Sequence, residues 1–194
     1  MSEAAQDLFS PTEAAAFTGV PVKLVRKEIE KKVIRPKRVR REKKAVELEL
    51  GDLFYLRVLG ELDLELPARV RIRLRNQIAH HCELNDRPRE LVVSGLLTLK
   101  IGEAESAVLD LLQRFVVWRE HLVVNPNILG GEVVFPNSRL AVRHIGKVLE
   151  RGESIQAVKE DYPYLTDEDL ELSRLYVKAY PRVGRPKIHQ AASR

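Results

Sequence analysis

Two helix signals separated by a glycine turn constrain the fold of this chain more than any other feature. The run Ser10-Pro11-Thr12-Glu13 combines a capping serine, a proline suited to the first helical position and a glutamate three residues after the cap. The run Thr18-Gly19-Val20-Pro21 ends that helix with a short turn. A second, amphipathic helix is therefore predicted over residues 22–32. Its apolar face is formed by Leu24, Val25 and Ile29.

The segment after the second helix predicts a β-hairpin with a cationic tip. Residues 34–41 are followed by apolar residues that alternate with glutamates over 46–50. The tip of the hairpin is a run over residues 35–44 with seven cations, Arg35, Lys37, Arg38, Arg40, Arg41, Lys43 and Lys44. A third helix is predicted over residues 52–62, and it would close the core. The predicted fold of residues 1–62 is therefore a winged helix-turn-helix.

Cations on the second helix and on the hairpin are the candidate DNA-binding residues. Basic side chains that share one surface with a helix-turn-helix can contact phosphates and base edges together. The chain carries a formal net charge of +5 with a pI near 9.4, which agrees with a polyanionic partner without requiring one. The alternative is that the cationic run is only a solvated charged loop. The candidates are Lys23, Arg26, Lys27, Arg35, Lys37, Arg38, Arg40 and Arg41.

The run SPTEAAAFTGVPVKLVRKEIEKKVIRP resembles the MerR-like DNA-binding fold. It reproduces the order of a capped helix, a glycine-valine turn, a recognition helix and a basic segment before the wing. The tyrosine and arginine pair of that family's recognition helix is only partly present, as Leu24-Val25-Arg26. The resemblance implies a DNA-binding transcription regulator.

Residues 63–124 are predicted to form a middle segment that serves in dimerisation. The run from Pro67 to Arg75 alternates arginines with apolar residues, so it fits a strand, but Val70, Leu74 and Ile78 fall four apart and favour a helix to about His81. A short strand over residues 96–101 and an amphipathic helix over 104–121 follow. The apolar face of that long helix is expected to be core or the interface of a homodimer, rather than a ligand pocket.

Residues 125–180 are predicted to form a helical bundle similar to a helix-turn-helix. The run NPNILGG at 125–131 places a turn and two glycines before a short β-run. Helices are predicted over residues 140–150, after the cap Ser154, and over 167–179 after the cap Thr166. The predicted fold class of the whole chain is mainly α, with an α/β middle segment.

The C-terminal sequence resembles a small antitoxin family long catalogued as a domain of unknown function. The resemblance rests on NPNILGG, on Arg139 before LAVRHIGKVLERG, and on DYPYLTDEDL at 161–170. The sequence departs from the family pattern at Val133 and at Asn137-Ser138, where the family has proline and Gly-Thr. Together with the MerR-like N-terminus, this resemblance implies a VapB-type antitoxin. Such a protein represses its own operon and neutralises a PIN-type ribonuclease toxin.

The basic tail at residues 181–194 is the candidate toxin-binding segment. Taken alone, its composition is typical of a disordered terminus. The antitoxin resemblance gives it a partner, because an extended cationic strand fits the acidic Mg²⁺ cleft of a PIN ribonuclease through bidentate pairing with carboxylates. The toxin-binding candidates are Arg182, Arg185 and Lys187.

Catalytic and metal-binding patterns are weak in this sequence. Among the histidines, only the run His80-His81-Cys82 resembles a ligand cluster, and it lacks the i, i+4 spacing of a helical zinc site. We therefore expect no enzyme activity, no metal and no cofactor. The single cysteine and the absence of a signal pattern or a long apolar run predict a cytoplasmic protein. Two alternatives stay open, namely a free-standing MerR-like regulator without a toxin and a metal-dependent nucleic-acid enzyme.

Overall fold

A computed structural model of the chain describes residues 8–38, 46–62, 64–95 and 97–182. Helices dominate these residues, and the strands form three two-stranded antiparallel ribbons, which confirms the mainly α class. The elements are, in chain order, α1 (Pro11–Thr18), α2 (Val22–Glu30), β1 (Lys37–Arg38), β2 (Val46–Glu47), α3 (Leu50–Glu61), α4 (Ala68–Glu83), β3 (Glu90–Ser94), β4 (Leu97–Lys100), α5 (Gly102–His121), β5 (Val123–Val124), β6 (Val133–Val134), α6 (Val142–Glu150), α7 (Ile155–Asp161) and α8 (Asp167–Ala179).

The start of α1 has the predicted capping box. The Ser10 backbone N–H donates to the Glu13 carboxylate at 2.8 Å, and the Glu13 N–H donates to the Ser10 hydroxyl at 3.3 Å. The helix ends at Gly19, whose φ of 74° lies in the left-handed region that glycine enters without a Cβ clash. The predicted order of a first helix, a glycine turn and a second helix is therefore present in α1 and α2.

The boundaries of the next elements differ from the prediction. Helix α2 stops at Glu30 rather than at residue 32, because Lys32 takes a φ of 57° and the chain turns inward to the buried Val33. Helix α3 begins at Leu50, a residue that the alternating pattern assigns to the strand. The reason is a second capping box, in which the Asp52 carboxylate accepts the backbone N–H of Glu49 at 3.0 Å.

The middle segment is helical where the sequence allowed two interpretations. Residues 68–83 form α4, as favoured, and α5 extends the predicted long helix by two residues at its start. Strand β3 was not predicted. It pairs with β4, and Leu91 and Val93 point to the core while Val92 is exposed.

The C-terminal helices follow their predicted caps closely. The Ser154 and Thr166 hydroxyls accept the N–H groups of Ala157 and Asp169 at 3.1 and 3.0 Å. Helix α6 begins at Val142, two residues later than predicted, because a bridge between Val134 and Ala141 holds the preceding residues extended.

One core joins the two ends of the chain. Helix α8 packs against α1, α5 and α6, so the last helix lies beside the first. Phe115 of α5 lies at the centre of this contact, with ring centroids 5.1 Å from Phe17 and 6.3 Å from Tyr180. The predicted apolar face of α5 is therefore largely used within the chain, since Val108, Phe115 and Trp118 are all buried. No helix within the described ranges is long and apolar enough to cross a membrane.

Candidate nucleic-acid interface

Helix α2 presents three cations on its solvent side. Lys23, Arg26 and Lys27 are exposed, and their i, i+3 and i+4 spacing puts them on one face of the helix. Within the described part of the chain, none of the three makes an ion pair or a side-chain hydrogen bond. Their charges are therefore available to an external anion.

The opposite face of α2 is fixed by a buried carboxylate that sequence reasoning missed. Glu28 is fully buried, and it accepts the Tyr55 hydroxyl of α3 at 2.8 Å. Arg71 of α4 forms an ion pair with the other carboxylate oxygen of Glu28. Because both partners come from other helices, this cluster sets the orientation of α2 relative to α3 and α4.

The pKa of the Tyr55 hydroxyl is raised in this cluster. Burial raises the pKa of the Tyr55 hydroxyl far above its usual range, and the hydrogen bond to Glu28 raises it further. The hydroxyl therefore stays protonated and serves as a permanent donor to the carboxylate. A second buried pair lies one turn along α4, where Arg75 contacts Asp52 of α3 at 2.7 Å.

A signal for these inward charges was present in the sequence. Glu28 follows Val25 by three residues and precedes Ile29, so it shares the apolar face of α2. Arg71 and Arg75 likewise alternate with Leu74 and Ile78 on one face of α4, whereas Arg69 and Arg73 are exposed. The periodicity thus placed Glu28 and Arg71 on apolar faces, and their opposite charges identify them as partners, whereas Arg75 pairs with Asp52.

The structure brings together only part of the predicted DNA-binding set. Arg35 is exposed just beyond α2, and Lys37 and Arg38 form β1, which pairs with β2. The hairpin therefore begins directly after the cationic helix. Arg40 and Arg41 lie outside the described residues.

Of the predicted toxin-binding residues, the structure describes only Arg182. Its guanidinium forms an ion pair with Glu132, on the turn that precedes β6. Arg185 and Lys187 lie outside the described residues.

Hydrogen bonds hold Tyr180, at the end of α8 and two residues before Arg182. Arg143 donates to the Tyr180 carbonyl oxygen at 2.7 Å, and Arg119 donates to the Tyr180 hydroxyl at 3.3 Å. Burial, reinforced by the nearby Glu13, raises the pKa of Tyr180 to about 12.

The histidine and cysteine run lies at the end of α4. The His81 Nδ1 contacts Asp86 at 3.1 Å, and Cys82 is half-buried. Burial raises the pKa of the Cys82 thiol, although Arg87 lowers it in part. Within the described ranges, no group of three or more His, Cys, Asp or Glu residues could hold a metal ion.

The C-terminal part of the chain is similar to a known protein family. Residues 122–177 match the family described as a protein of unknown function (DUF433). This agrees with the coarser part of the sequence resemblance, to a small domain family of unknown function. The matched description states no activity.

Two further proteins are similar over different shares of the chain. An uncharacterized protein, y4eO of Sinorhizobium fredii (strain NBRC 101917 / NGR234), is 31% identical over 70 residues, which is 36% of this chain. The chain spans about a third of that relative, because the aligned residues make up 32% of its length. The crystal structure of Rv2018 from Mycobacterium tuberculosis aligns over 86% of this chain and 96% of its own, with 14% identity and a TM-score of 0.33.

Proposed function

We propose that this protein is a DNA-binding transcription regulator whose N-terminal residues act as a MerR-like winged helix-turn-helix. The observation that carries the proposal is the cationic face of α2, formed by Lys23, Arg26 and Lys27, which is unpaired within the described residues and lies on a helix held by the buried Glu28 cluster. Such a fixed helix suits the major groove, where side chains reach bases and phosphates from one rigid support. The β1–β2 hairpin would supply the wing.

The DNA-binding proposal is tested by neutralising α2. The triple variant Lys23→Gln, Arg26→Gln, Lys27→Gln changes only exposed side chains, so its thermal unfolding should match the parent. Its affinity for duplex DNA from upstream of its own coding region should fall. The slope of log K against log salt should decrease by roughly 0.9 for each phosphate that the variant no longer neutralises. The matched control is Lys100→Gln with Arg89→Gln, two exposed cations far from α2 in sequence. Equal affinities and slopes for all three proteins would refute the proposal.

We further propose that the regulator is a VapB-type antitoxin that neutralises a PIN-type ribonuclease. The resemblance of residues 125–182 supports this role, and the basic tail offers cations for an acidic Mg²⁺ cleft. Because Arg182 is already paired with Glu132, Arg185 and Lys187 are the first candidates to enter that cleft.

The antitoxin role is tested by co-expression with the product of the adjacent gene. A chain truncated after Arg182 should keep its fold and DNA binding, yet it should lose inhibition of ribonuclease activity. The variant Glu132→Gln should leave inhibition intact or strengthen it, because it frees Arg182. If the adjacent gene encodes no ribonuclease, the free-standing MerR-like regulator replaces the antitoxin as the proposed function.

We also propose a homodimer, since helix-turn-helix proteins commonly read two half-sites. Its interface would include Val116 and Val117, the exposed large apolar residues of α5, because Phe115 is in the core. The variant Val116→Asp with Val117→Asp should stay folded and become monomeric in light scattering. A monomeric parent at micromolar concentration would contradict the dimer.

A further inference from the structure

The C-terminal helices separate their charges into an acidic end and a basic end. The acids concentrate where α7 ends and α8 begins, and they are Glu160, Asp161, Asp167, Glu168, Asp169 and Glu171. The cations concentrate on α6 and on the second half of α8, and they are Arg143, Lys147, Arg151, Arg174 and Lys178. Part of this separation follows the helix dipole, which favours acids at the start of α8 and cations at its end.

The acidic end is compensated within the chain. Arg114 of α5 contacts Glu168 at 3.0 Å and Glu171 at 2.7 Å. Lys159 contacts Asp167 at 2.8 Å. The charges at this end are therefore largely used in holding α8 to its neighbours.

The basic end is not compensated to the same extent. Glu150 of α6 accepts Arg174 at 2.6 Å and Lys178 at 3.3 Å, so one carboxylate faces two cations from α8. Lys147 precedes Glu150 on α6, and Arg151 follows it as the residue that ends the helix. Both are exposed, and neither has a partner within the described part of the chain. Two α8 cations thus contact one carboxylate, and two further exposed cations lie within three residues of Glu150 along the chain. We call Lys147, Arg151, Arg174 and Lys178 the α6–α8 basic surface.

Glu150 keeps its negative charge and organises this surface. Burial opposes its ionisation, but the hydrogen bonds from Arg174 and Lys178 prevail and lower the pKa of the carboxyl. It therefore holds the two α8 cations beside α6. At neutral pH the four cations exceed the single charge of Glu150 by three.

The backbone beneath the α6–α8 basic surface is closely packed. Gly146 lies where α6 crosses α8, and a Cβ at this position would collide with the Ser173 carbonyl. Arg143 is excluded from the surface, because its guanidinium donates to the Tyr180 carbonyl and lies over the Tyr176 ring. The four cations are therefore presented by two helices in close backbone contact.

The chemistry of this surface favours nucleic acid over protein as its partner. Protein interfaces place apolar and aromatic anchors at their centre, whereas α6 and α8, both described in full, carry no exposed large apolar side chain. Contacts to a phosphate backbone need cations alone. We propose that the α6–α8 basic surface binds the phosphate backbone of duplex DNA, as a second contact separate from α2. This inference rests on the proposed DNA-binding function, because α2 and the α6–α8 basic surface would contact the same duplex.

The test compares parent and variants on duplex DNA of random sequence. The variant Lys147→Gln with Arg151→Gln removes two exposed charges, and unchanged thermal unfolding will show that it folds. We expect weaker binding, with a salt slope lower by roughly 0.9 for each phosphate that these two side chains neutralise in the parent. The α2 triple variant should keep residual binding that the combined five-residue variant loses. The control is again Lys100→Gln with Arg89→Gln.

The outcomes separate this inference from the proposed function. If Lys147→Gln with Arg151→Gln binds like the control while the α2 variant is weakened, the inference is wrong and the proposed function stands. If only Lys147→Gln with Arg151→Gln weakens binding, the inference stands and the role of α2 is refuted. A parent that binds poly-glutamate as tightly as duplex DNA, or that binds no duplex, would overturn the assignment to nucleic acid.

Discussion

Replacing Glu28 with glutamine should destabilise the fold by about 4–6 kcal/mol, although the two side chains have nearly the same shape. Glutamine cannot neutralise Arg71, whose side chain is only 10% exposed and whose Nε has no hydrogen-bond partner among the described residues. Removing one partner of a buried ion pair leaves the other charge uncompensated, and this costs about 3–5 kcal/mol. The Tyr55 hydroxyl would also exchange a charged acceptor for a neutral one, a further loss of about 1 kcal/mol.

Urea denaturation followed by circular dichroism measures this loss. The midpoint should fall while the slope m stays constant, because the variant changes stability and not the surface exposed on unfolding. The exposed pair of Arg57 and Glu61 provides the control. Glu61→Gln should cost no more than about 0.5 kcal/mol.

A double-mutant cycle with Arg71→Met separates the ion pair from general damage to the core. Removing both charges should cost clearly less than the sum of the two single variants. DNA binding gives an independent measurement, because Glu28 touches no phosphate in the proposed complex. Glu28→Gln should lower affinity while the salt slope stays at the parent value. Additive losses, or a cost for Glu28→Gln below about 1 kcal/mol, would refute the reasoning.

Three further predictions follow from buried positions. Gly146→Ala should cost at least about 2 kcal/mol in urea denaturation, because its methyl group would collide with the Ser173 carbonyl, whereas Gly95→Ala has open space and should cost little. Burial raises the pKa of Glu105 against the opposing charges of nearby cations, so stability falls as pH rises from the unfolded value of about 4.3 through the folded one. Glu105→Gln should therefore match the parent near pH 4 and exceed its stability at pH 7, and an equal difference at both pH values would contradict this. Phe115→Asp should abolish the cooperative unfolding transition rather than yield a folded monomer, because the ring is 2% exposed.

Local signals in the sequence predicted most of the helices. Serine and threonine caps at residues 10, 154 and 166 are evident from short patterns, because the hydroxyl that accepts a helix N–H lies within three residues of its donor. The short turn at Gly19 was also predicted from a local pattern, and the structure places its φ of 74° in the left-handed region. Asn137 also takes a positive φ of 55°, at a position where the antitoxin resemblance has glycine. Asparagine tolerates this region, so the departure preserves the turn.

Packing between distant elements was not predicted, because no short pattern encodes it. The contact of α1 with α8 joins residues far apart in sequence, and only the shared apolar character of both helices indicates it. The two-residue strands β1 and β5 are too short for a period to develop. The buried charges were missed even though Glu28, Arg71 and Arg75 fall on the apolar faces of their helices.

The buried cluster also predicts that the winged helix-turn-helix expected over residues 1–62 will not fold by itself. A fragment ending at residue 62 keeps Glu28 and Tyr55 but lacks Arg71, so a carboxylate would be buried without its cation. The fragment also lacks α8, which covers α1. We expect no cooperative unfolding transition from the fragment, in contrast to the full chain.

Glu28→Gln should have opposite effects in the two contexts. In the full chain it leaves the Arg71 charge uncompensated and destabilises the fold. In the fragment it removes a charge that folding would bury without a cation, so it should raise the helical circular dichroism signal. The comparison needs no partner and no DNA, so it is independent of the proposed function. The reasoning is refuted if the fragment unfolds as cooperatively as the full chain, or if Glu28→Gln has an effect of the same sign in both. Either result would show that Arg71 does not compensate the buried Glu28 carboxylate.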